Sequence, residues 1–155
     1  MGNIKTFGAS MQWSNVLEMV HESRIDSVGL NERVNSLATR SIKKDSKLEA
    51  LSMVVSMCDL TTLEGEDTEG KISQMVAKAI KPNPLDNSVP SVAAVCVYPS
   101  LVGIAKEKVQ NSNVKVAAVS SYFPSGQVPM ESKLLDTKYA IDSGADEIDL
   151  SLIHI

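Results

Sequence analysis

Carboxylate, hydroxyl and thiol side chains occur near the ends of short apolar segments in this sequence. Asp59 and Thr61 end the first of these segments, Cys96 lies near the end of the second, and Asp149 lies in the last. A carboxylate in such a position can relay protons, whereas a free thiol commonly packs as a small apolar group. A carboxylate that points into a protein core needs a basic partner, because burying a lone charge is costly. The acidic residues therefore predict lysines on strands beyond those seen here.

Apolar periodicity predicts the helices and strands that carry these residues. Apolar residues at helical spacing predict helices, and continuous apolar runs predict strands that are buried on both faces. The predicted strands cover residues 57–61, 91–97, 114–119 and 146–149, and the predicted helices cover residues 13–21, 30–39, 45–55, 67–80, 100–109 and 131–143. We expect Asp45 or Ser46 to cap the third helix, Ser100 to open the fifth and Gly144 to end the last.

Strands and helices alternate from residue 57 onward, which predicts a parallel sheet with right-handed crossovers. Two architectures have this alternation, the open doubly wound sheet and the (β/α)8 TIM barrel. The open nucleotide-binding form usually has a glycine-rich turn after its first strand. Here the corresponding turn, TTLEGE at residues 61–66, has no glycine cluster, and its acidic side chains would repel a pyrophosphate. We therefore predict the barrel, in which functional residues lie at the C-terminal ends of the strands.

Four sequence motifs follow one another at the ends of the predicted strands: DLTTL at 59–63, CVYP at 96–99, FPSG at 123–126 and GADEID at 144–149. In order and spacing they resemble the successive motifs of the deoxyribose-phosphate aldolases. The resemblance runs from about residue 53 to Asp149. It implies an α/β fold in which the chain supplies roughly the first four strands of a (β/α)8 barrel, after an N-terminal helical extension.

The resemblance also implies an activity. Members of this family are lyases that reversibly cleave 2-deoxy-D-ribose 5-phosphate into acetaldehyde and D-glyceraldehyde 3-phosphate. They are class I aldolases, which use a lysine Schiff base and need neither a metal nor another cofactor. Both lysines of the family's mechanism come from later strands. We therefore expect the full-length protein to be an aldolase of deoxyribonucleotide and carbohydrate catabolism, and this fragment by itself to be inactive.

Site residues follow from the same resemblance, motif by motif. Asp149 corresponds to the family's proton-relay aspartate, and Asp59 and Thr61 correspond to polar pocket positions. The remaining pocket positions are Leu63, Cys96 and Phe123. Taken without the resemblance, Cys96 could be a core thiol, Asp59 could cap the following turn, and Asp149 could be a structural ion-pair partner.

Composition limits the other functions that the chain could have. The formal charge of -4, the hydrophobic fraction of 43% and the two cysteines are ordinary for a soluble cytoplasmic protein with reduced thiols. We expect neither a nucleic-acid partner nor a membrane partner, and the glycine-led pattern at residues 1–6 does not predict myristoylation. The expected ligands are a phosphorylated sugar and aldehydes. The uncovered strand edges of a half barrel favour a homo-oligomer.

We divide the chain into an N-terminal helical extension at residues 1–52, the first half of an aldolase barrel at 53–149 and a non-native tail at 150–155. The tail, LSLIHI, matches the translation of a transposase adapter used in sequencing libraries. Two other functions stay open at this point. One is a non-catalytic half-barrel interaction protein, and the other is a different TIM-barrel lyase or isomerase.

Overall fold

Helices and parallel strands alternate through residues 25–150, which are the residues that the computed structural model describes. The helix predicted at residues 13–21 and the pattern at residues 1–6 lie outside them. The chain divides into two units, residues 1–42 and residues 43–155. In the first unit, helix α1 spans Ser27–Ala38, and Oδ1 of Asp26 caps it by accepting a hydrogen bond from the Gly29 amide at 2.9 Å.

The second unit contains a sheet of four parallel strands in the order β1-β2-β3-β4. Its elements are α2 (Lys44–Ser56), β1 (Asp59–Thr61), α3 (Glu69–Ile80), β2 (Ala94–Val97), a 3-10 turn (Pro99–Leu101), α4 (Val102–Lys108), β3 (Lys115–Val119), α5 (Met130–Asp142) and β4 (Glu147–Asp149). The predicted α/β class and the parallel sheet are confirmed. A complete barrel would need strands in addition to these four, so the barrel stays a prediction.

One face of the sheet forms the main hydrophobic core. Val95 and Val97 of β2 and Val116 of β3 are completely buried on it. The helices contribute further buried residues to this cluster, namely Ile72, Val76, Ala79, Val102, Ala105 and Ala140. Burying one valine or isoleucine side chain contributes about 1.5–3 kcal/mol. Both faces of β2 and β3 are covered, as the continuous apolar runs predict.

Helix α5 ends in the turn that leads to β4. The Gly144 amide donates to the Ile141 carbonyl at 3.0 Å, and the Ala145 amide donates to the Ala140 carbonyl at 3.1 Å. Gly144 has a φ of +102°, which a side chain at this position would strain. The added Cβ would also lie only 3.2 Å from Cγ of Lys106. The prediction that Gly144 ends this helix is confirmed.

The starts of two helices differ from the prediction. Helix α2 begins at Lys44 without a side-chain cap, so Asp45 and Ser46 do not cap it. Asp45 lies instead in the first turn, where its charge favours the helix dipole. Ser100 lies within the 3-10 turn, and α4 begins two residues later at the buried Val102.

Strand β1 begins at Asp59 and not at residue 57. The amides of Met57 and Cys58 donate to the carbonyls of Val54 and Val55, so these two residues complete the end of α2. Their amides are therefore not available to the sheet, and only the Cys58 carbonyl faces β2, where it accepts a hydrogen bond from the Ala93 amide at 2.9 Å. Among residues 25–150, no helix is long and apolar enough to cross a membrane.

Candidate active site

The second face of the sheet carries most of the side chains that the motifs single out. The register pairs Thr61 with Cys96, and Cys96 with Ala117. On β4, Glu147 pairs with Ala117, and Asp149 pairs with Val119. Because side chains alternate along a strand, residues in these rows point to the same face of the sheet.

The centre of this face is small and apolar. Ala94, Cys96, Ala117 and Val119 are buried and form one cluster, which we call the inner cluster. We call the face of the sheet that carries it the inner face. Leu63, Tyr98 and Phe123 pack against it from the loops that follow the strands. The structure thus brings Leu63 and Phe123 to the same face as Cys96. Tyr98 was not among the site residues predicted from the sequence. It lies two residues after Cys96, however, and the alternation of side chains places both on the same face.

Cys96 is a protonated thiol at neutral pH. Burial, and after it the negative charges of Asp149 and Asp59, raise the pKa of Cys96 to about 11. The Val119 backbone and the Thr61 side chain act against this effect without cancelling it. Thiolates and not thiols are the nucleophilic form, so Cys96 in this environment lines the face and does not attack.

Three carboxylates share this face. Partial burial raises the pKa of Asp59, and the charges of Glu147 and Asp149 add to the increase. Lys115 forms an ion pair with Glu147, with 2.8 Å between Nζ and Oε1. Among the described residues, neither Asp59 nor Asp149 has an ion-pair partner. The interpretation of Asp149 as a structural ion-pair residue therefore finds no partner within residues 25–150.

The turn after β1 is closed by Asp67 and not by Asp59. Oδ1 of Asp67 accepts a hydrogen bond from the Thr62 hydroxyl at 2.9 Å, and Oδ2 accepts one from the Glu64 amide at 3.0 Å. Lys71 also contacts Oδ1 at 2.5 Å. Asp59 instead lies on β1 in register with Ala94, so its side chain points to the same face as Ala94. The signal for Asp67 was its position one residue before the Thr68 cap of α3.

A cavity of about 280 Å³ lies beside the C-terminal ends of β3 and β4. Its walls include Ser120, Phe123, Pro124, Lys133, Leu134 and Leu150. Phe123 therefore borders this cavity and also packs against the cluster that contains Cys96. Within residues 25–150, no group of three or more His, Cys, Asp or Glu side chains is arranged to hold a metal ion.

Similarity searches relate the chain to aldolases. No family model matches it. Deoxyribose-phosphate aldolase of Homo sapiens is 36% identical over 124 residues, and the match covers 73% of this chain and 39% of the human protein. The mouse (Mus musculus) protein of that name is 30% identical over 145 residues, and the match covers 86% of this chain and 46% of the relative.

A solved structure gives the same relationship. The structure of QR15, an aldolase, is 28% identical, with a TM-score of 0.53, and the match covers 63% of this chain and 39% of that chain. The present chain thus spans less than half the length of the proteins that it matches.

Proposed function

The chain is a homologue of the deoxyribose-phosphate aldolases, and on this premise we propose that the full-length protein cleaves 2-deoxy-D-ribose 5-phosphate reversibly. The products are acetaldehyde and D-glyceraldehyde 3-phosphate. One observation carries the proposal: Asp59, Cys96 and Asp149, from three separate motifs, lie close enough for both acids to raise the pKa of the Cys96 thiol. The proposal extends to a cytoplasmic role in deoxyribonucleotide and carbohydrate catabolism.

The proposed chemistry passes through a Schiff base between a lysine of a later strand and C1 of the open-chain sugar. A base removes the proton of the C3 hydroxyl, the C2–C3 bond breaks, and its electron pair moves into the iminium. Glyceraldehyde 3-phosphate leaves, and the resulting enamine takes a proton at C2. Water then hydrolyses the new iminium and releases acetaldehyde. Asp149, together with a water molecule, is the proposed proton relay.

The negative charges of the carboxylates on the inner face favour a lysine amine close to them. Burial raises the pKa of Asp59, and the negative charges of Glu147 and Asp149 raise it further. The positive charge of a lysine between Asp59 and Asp149 would offset the repulsion between the two carboxylates. Both carboxylates would attract this lysine and so hold it in place. In this proposal Asp59 and Thr61 bind the polar part of the substrate, whereas Leu63, Cys96 and Phe123 form the apolar wall.

The proposed fold is a (β/α)8 barrel of which β1–β4 are the first four strands. Residues 1–52 are then an N-terminal extension, residues 53–149 the half barrel and residues 150–155 a non-native tail. The outer edges of β1 and β4 have no partner strand among residues 25–150. Such edges readily pair with other strands, which supports either further barrel strands or self-association.

Borohydride trapping tests this proposal directly. Acetaldehyde and borohydride should convert the Schiff base of the full-length protein into a stable adduct, which mass spectrometry detects. The 155-residue chain should give none. An adduct on the short chain, or none on the full-length protein, would contradict the proposal. Asp149→Asn should lower kcat for the cleavage of deoxyribose 5-phosphate by about 10²–10⁴-fold, the usual range for a general acid–base.

Asp142→Asn is the matched control for the relay aspartate. Asp142 is an exposed residue of α5 that pairs with Lys138 at 2.5 Å. Its side chain is 62% exposed. This variant should keep the wild-type kcat, so that a loss in both variants would indicate a general effect of removing an acidic residue.

A non-catalytic interaction protein is the second candidate function. Leu134, Leu135 and Ile141 on α5 are all more than half exposed, which is unusual for apolar residues on one helix. These side chains could bind a protein partner. The trapping experiment separates the two candidates, because an interaction protein forms no Schiff-base adduct.

A further inference from the structure

The segment that follows β3 has an unusual backbone. We call residues 120–126 the β3–α5 loop. Ser121 and Tyr122 both have a φ of +59°, in the left-handed region that residues other than glycine rarely adopt. Two consecutive residues of this kind persist only where surrounding contacts hold them.

Helix α5 supplies those contacts from one side. Oδ2 of Asp136 accepts a hydrogen bond from the Tyr122 amide at 3.2 Å. The hydroxyls of Thr137 and Ser120 are hydrogen-bonded to each other, and the Ser120 side chain is buried. Thr137 is in turn fixed by its own hydrogen bond to the Lys133 carbonyl at 3.0 Å. The loop is thus attached to α5 at both residues that flank Ser121.

The loop ends are joined as well. The Gly126 amide donates to the Tyr122 carbonyl at 2.9 Å, which closes the turn around Phe123. Phe123 is the next residue after Tyr122, so the position of its ring depends on the Tyr122 backbone. That ring packs against the inner cluster and borders the 280 Å³ cavity. Asp136 itself belongs neither to the cluster nor to the cavity wall.

We propose that Asp136 is a positioning residue. It holds the Tyr122 amide and thereby keeps the Phe123 ring against the inner cluster, where the ring forms part of the apolar wall of the pocket. The role in catalysis rests on the proposed aldolase function. Through Phe123, Asp136 determines how large an aldehyde the pocket accepts. Loss of the carboxylate releases the left-handed backbone, lets Phe123 move and widens the pocket.

Alkylation of Cys96 tests the positioning without any enzyme activity. In the 155-residue chain, which has two cysteines, the exposed Cys58 is first replaced by serine, so that iodoacetamide reports on Cys96 alone. Asp136→Ala should increase the alkylation rate about tenfold, as expected when a hydrogen bond to a charged group is lost. Asp136→Asn should stay near the wild-type rate, because its amide oxygen can still accept the bond. Asp142→Asn on the same helix should also leave the rate unchanged.

A double-mutant comparison identifies Phe123 as the intermediary. Phe123→Ala should increase the alkylation rate by itself, and adding Asp136→Ala should then increase it little further. If the two substitutions act independently, their effects on the alkylation rate multiply. That result would show a general loss of structure and would overturn the proposal. An unchanged rate in Asp136→Ala would overturn it too. If that variant does not fold, Thr137→Val, which removes the hydroxyl bonded to Ser120, serves in the same cycle and must give the same non-additivity.

Aldehyde selectivity tests the link to catalysis in the full-length protein. In the synthesis direction, Asp136→Ala should increase kcat/KM for propanal relative to acetaldehyde, and Asp136→Asn should restore the wild-type ratio. An unchanged ratio in an active enzyme would contradict the specificity role. If the full-length protein has no aldolase activity but the alkylation cycle is non-additive, the proposed function fails while the positioning by Asp136 stands.

Discussion

The ammonium of Lys106 lies 2.6 Å from Oδ1 of Asp146, although 40 residues separate the two in the sequence. Oδ2 of the same carboxylate accepts a hydrogen bond from the Val116 amide at 2.9 Å. The Asp146 amide donates to the Val116 carbonyl at 2.7 Å. Asp146 therefore attaches the start of β4 to β3 and to α4. Because Asp149 follows three residues later on the same strand, this attachment also fixes its register.

Replacing Asp146 should measure the strength of this attachment. We expect Asp146→Asn to lower the free energy of unfolding by about 1 kcal/mol, since it loses a charged hydrogen bond at a partly exposed site. Urea unfolding of the two proteins measures the difference. The control is Asp142→Asn, whose exposed ion pair with Lys138 should contribute less than about 0.5 kcal/mol. Equal losses in both variants would contradict a special role for Asp146.

The contribution of Asp146 should also depend on pH. Partial burial raises the pKa of Asp146, but the hydrogen bonds from Lys106 and Val116 outweigh it and hold the pKa below its ordinary value. A carboxyl group whose pKa is lower in the folded state stabilises the fold above its unfolded-state pKa of about 3.9. That stabilisation is lost as the pH falls through the lower, folded-state pKa.

Unfolding in urea from pH 7 downward therefore provides a second test. The stability difference between wild type and Asp146→Asn should be constant near neutrality and should shrink as the pH falls below about 4. Comparison with the variant isolates Asp146 from the other carboxyl groups with lowered pKa, such as Asp67 and Asp86. A difference that persists unchanged in acid would show that the charge of Asp146 is unimportant.

The environment of Cys96 gives a prediction on its ionisation. Asp149→Asn should lower the pKa of Cys96 from about 11 toward the ordinary thiol range, because it removes one of the two negative charges that disfavour the thiolate. The change should be partial, since burial is the largest cause and remains. Thiolate absorbance in the ultraviolet, followed against pH in a Cys58→Ser background, measures it. Asp142→Asn should leave the titration unchanged, and a shift of equal size there would refute the assignment.

Gly144 should tolerate no side chain. Gly144→Ala places a Cβ at φ +102° and 3.2 Å from Cγ of Lys106. The left-handed backbone alone costs about 1–2 kcal/mol for an alanine, and the contact with Lys106 adds to this. Gly65→Ala is the matched control, because a Cβ there meets nothing within 4 Å. Thermal unfolding of both variants should show a large loss only for Gly144→Ala.

The fold was predictable where one local pattern decided the outcome. Ile72, Val76 and Ala79 follow helical spacing, and all three are buried on α3. The runs in β2 and β3 are apolar because helices cover one face and the small inner cluster covers the other. The alternation of side chains along a strand accounts for the common side of Asp59 and Thr61, whereas only the strand register places Asp149 on that same face. The family motifs added the candidate roles, which no local pattern contains.

Other features depend on partners that the sequence does not reveal. The bonds of Asp146 to Lys106 and of Asp136 to Tyr122 join residues 40 and 14 positions apart, and no periodicity marks them. The start of α2 at Lys44 was missed for the opposite reason. Both Asp45 and Ser46 are good caps, so propensity alone placed the cap two or three residues after its actual position at Lys43.

Helix α5 is attached at two places along its length, to the loop after β3 and to the start of β4. Near its middle, Asp136 and Thr137 hold the β3–α5 loop and with it Phe123. At its C-terminus, the hydrogen bonds of Gly144 and Ala145 connect it directly to the start of β4, which carries Asp149. Because the helix is stiff along its axis, an axial displacement moves the ring and the carboxylate in the same direction. The helix thus couples the position of the Phe123 ring to that of the Asp149 carboxylate.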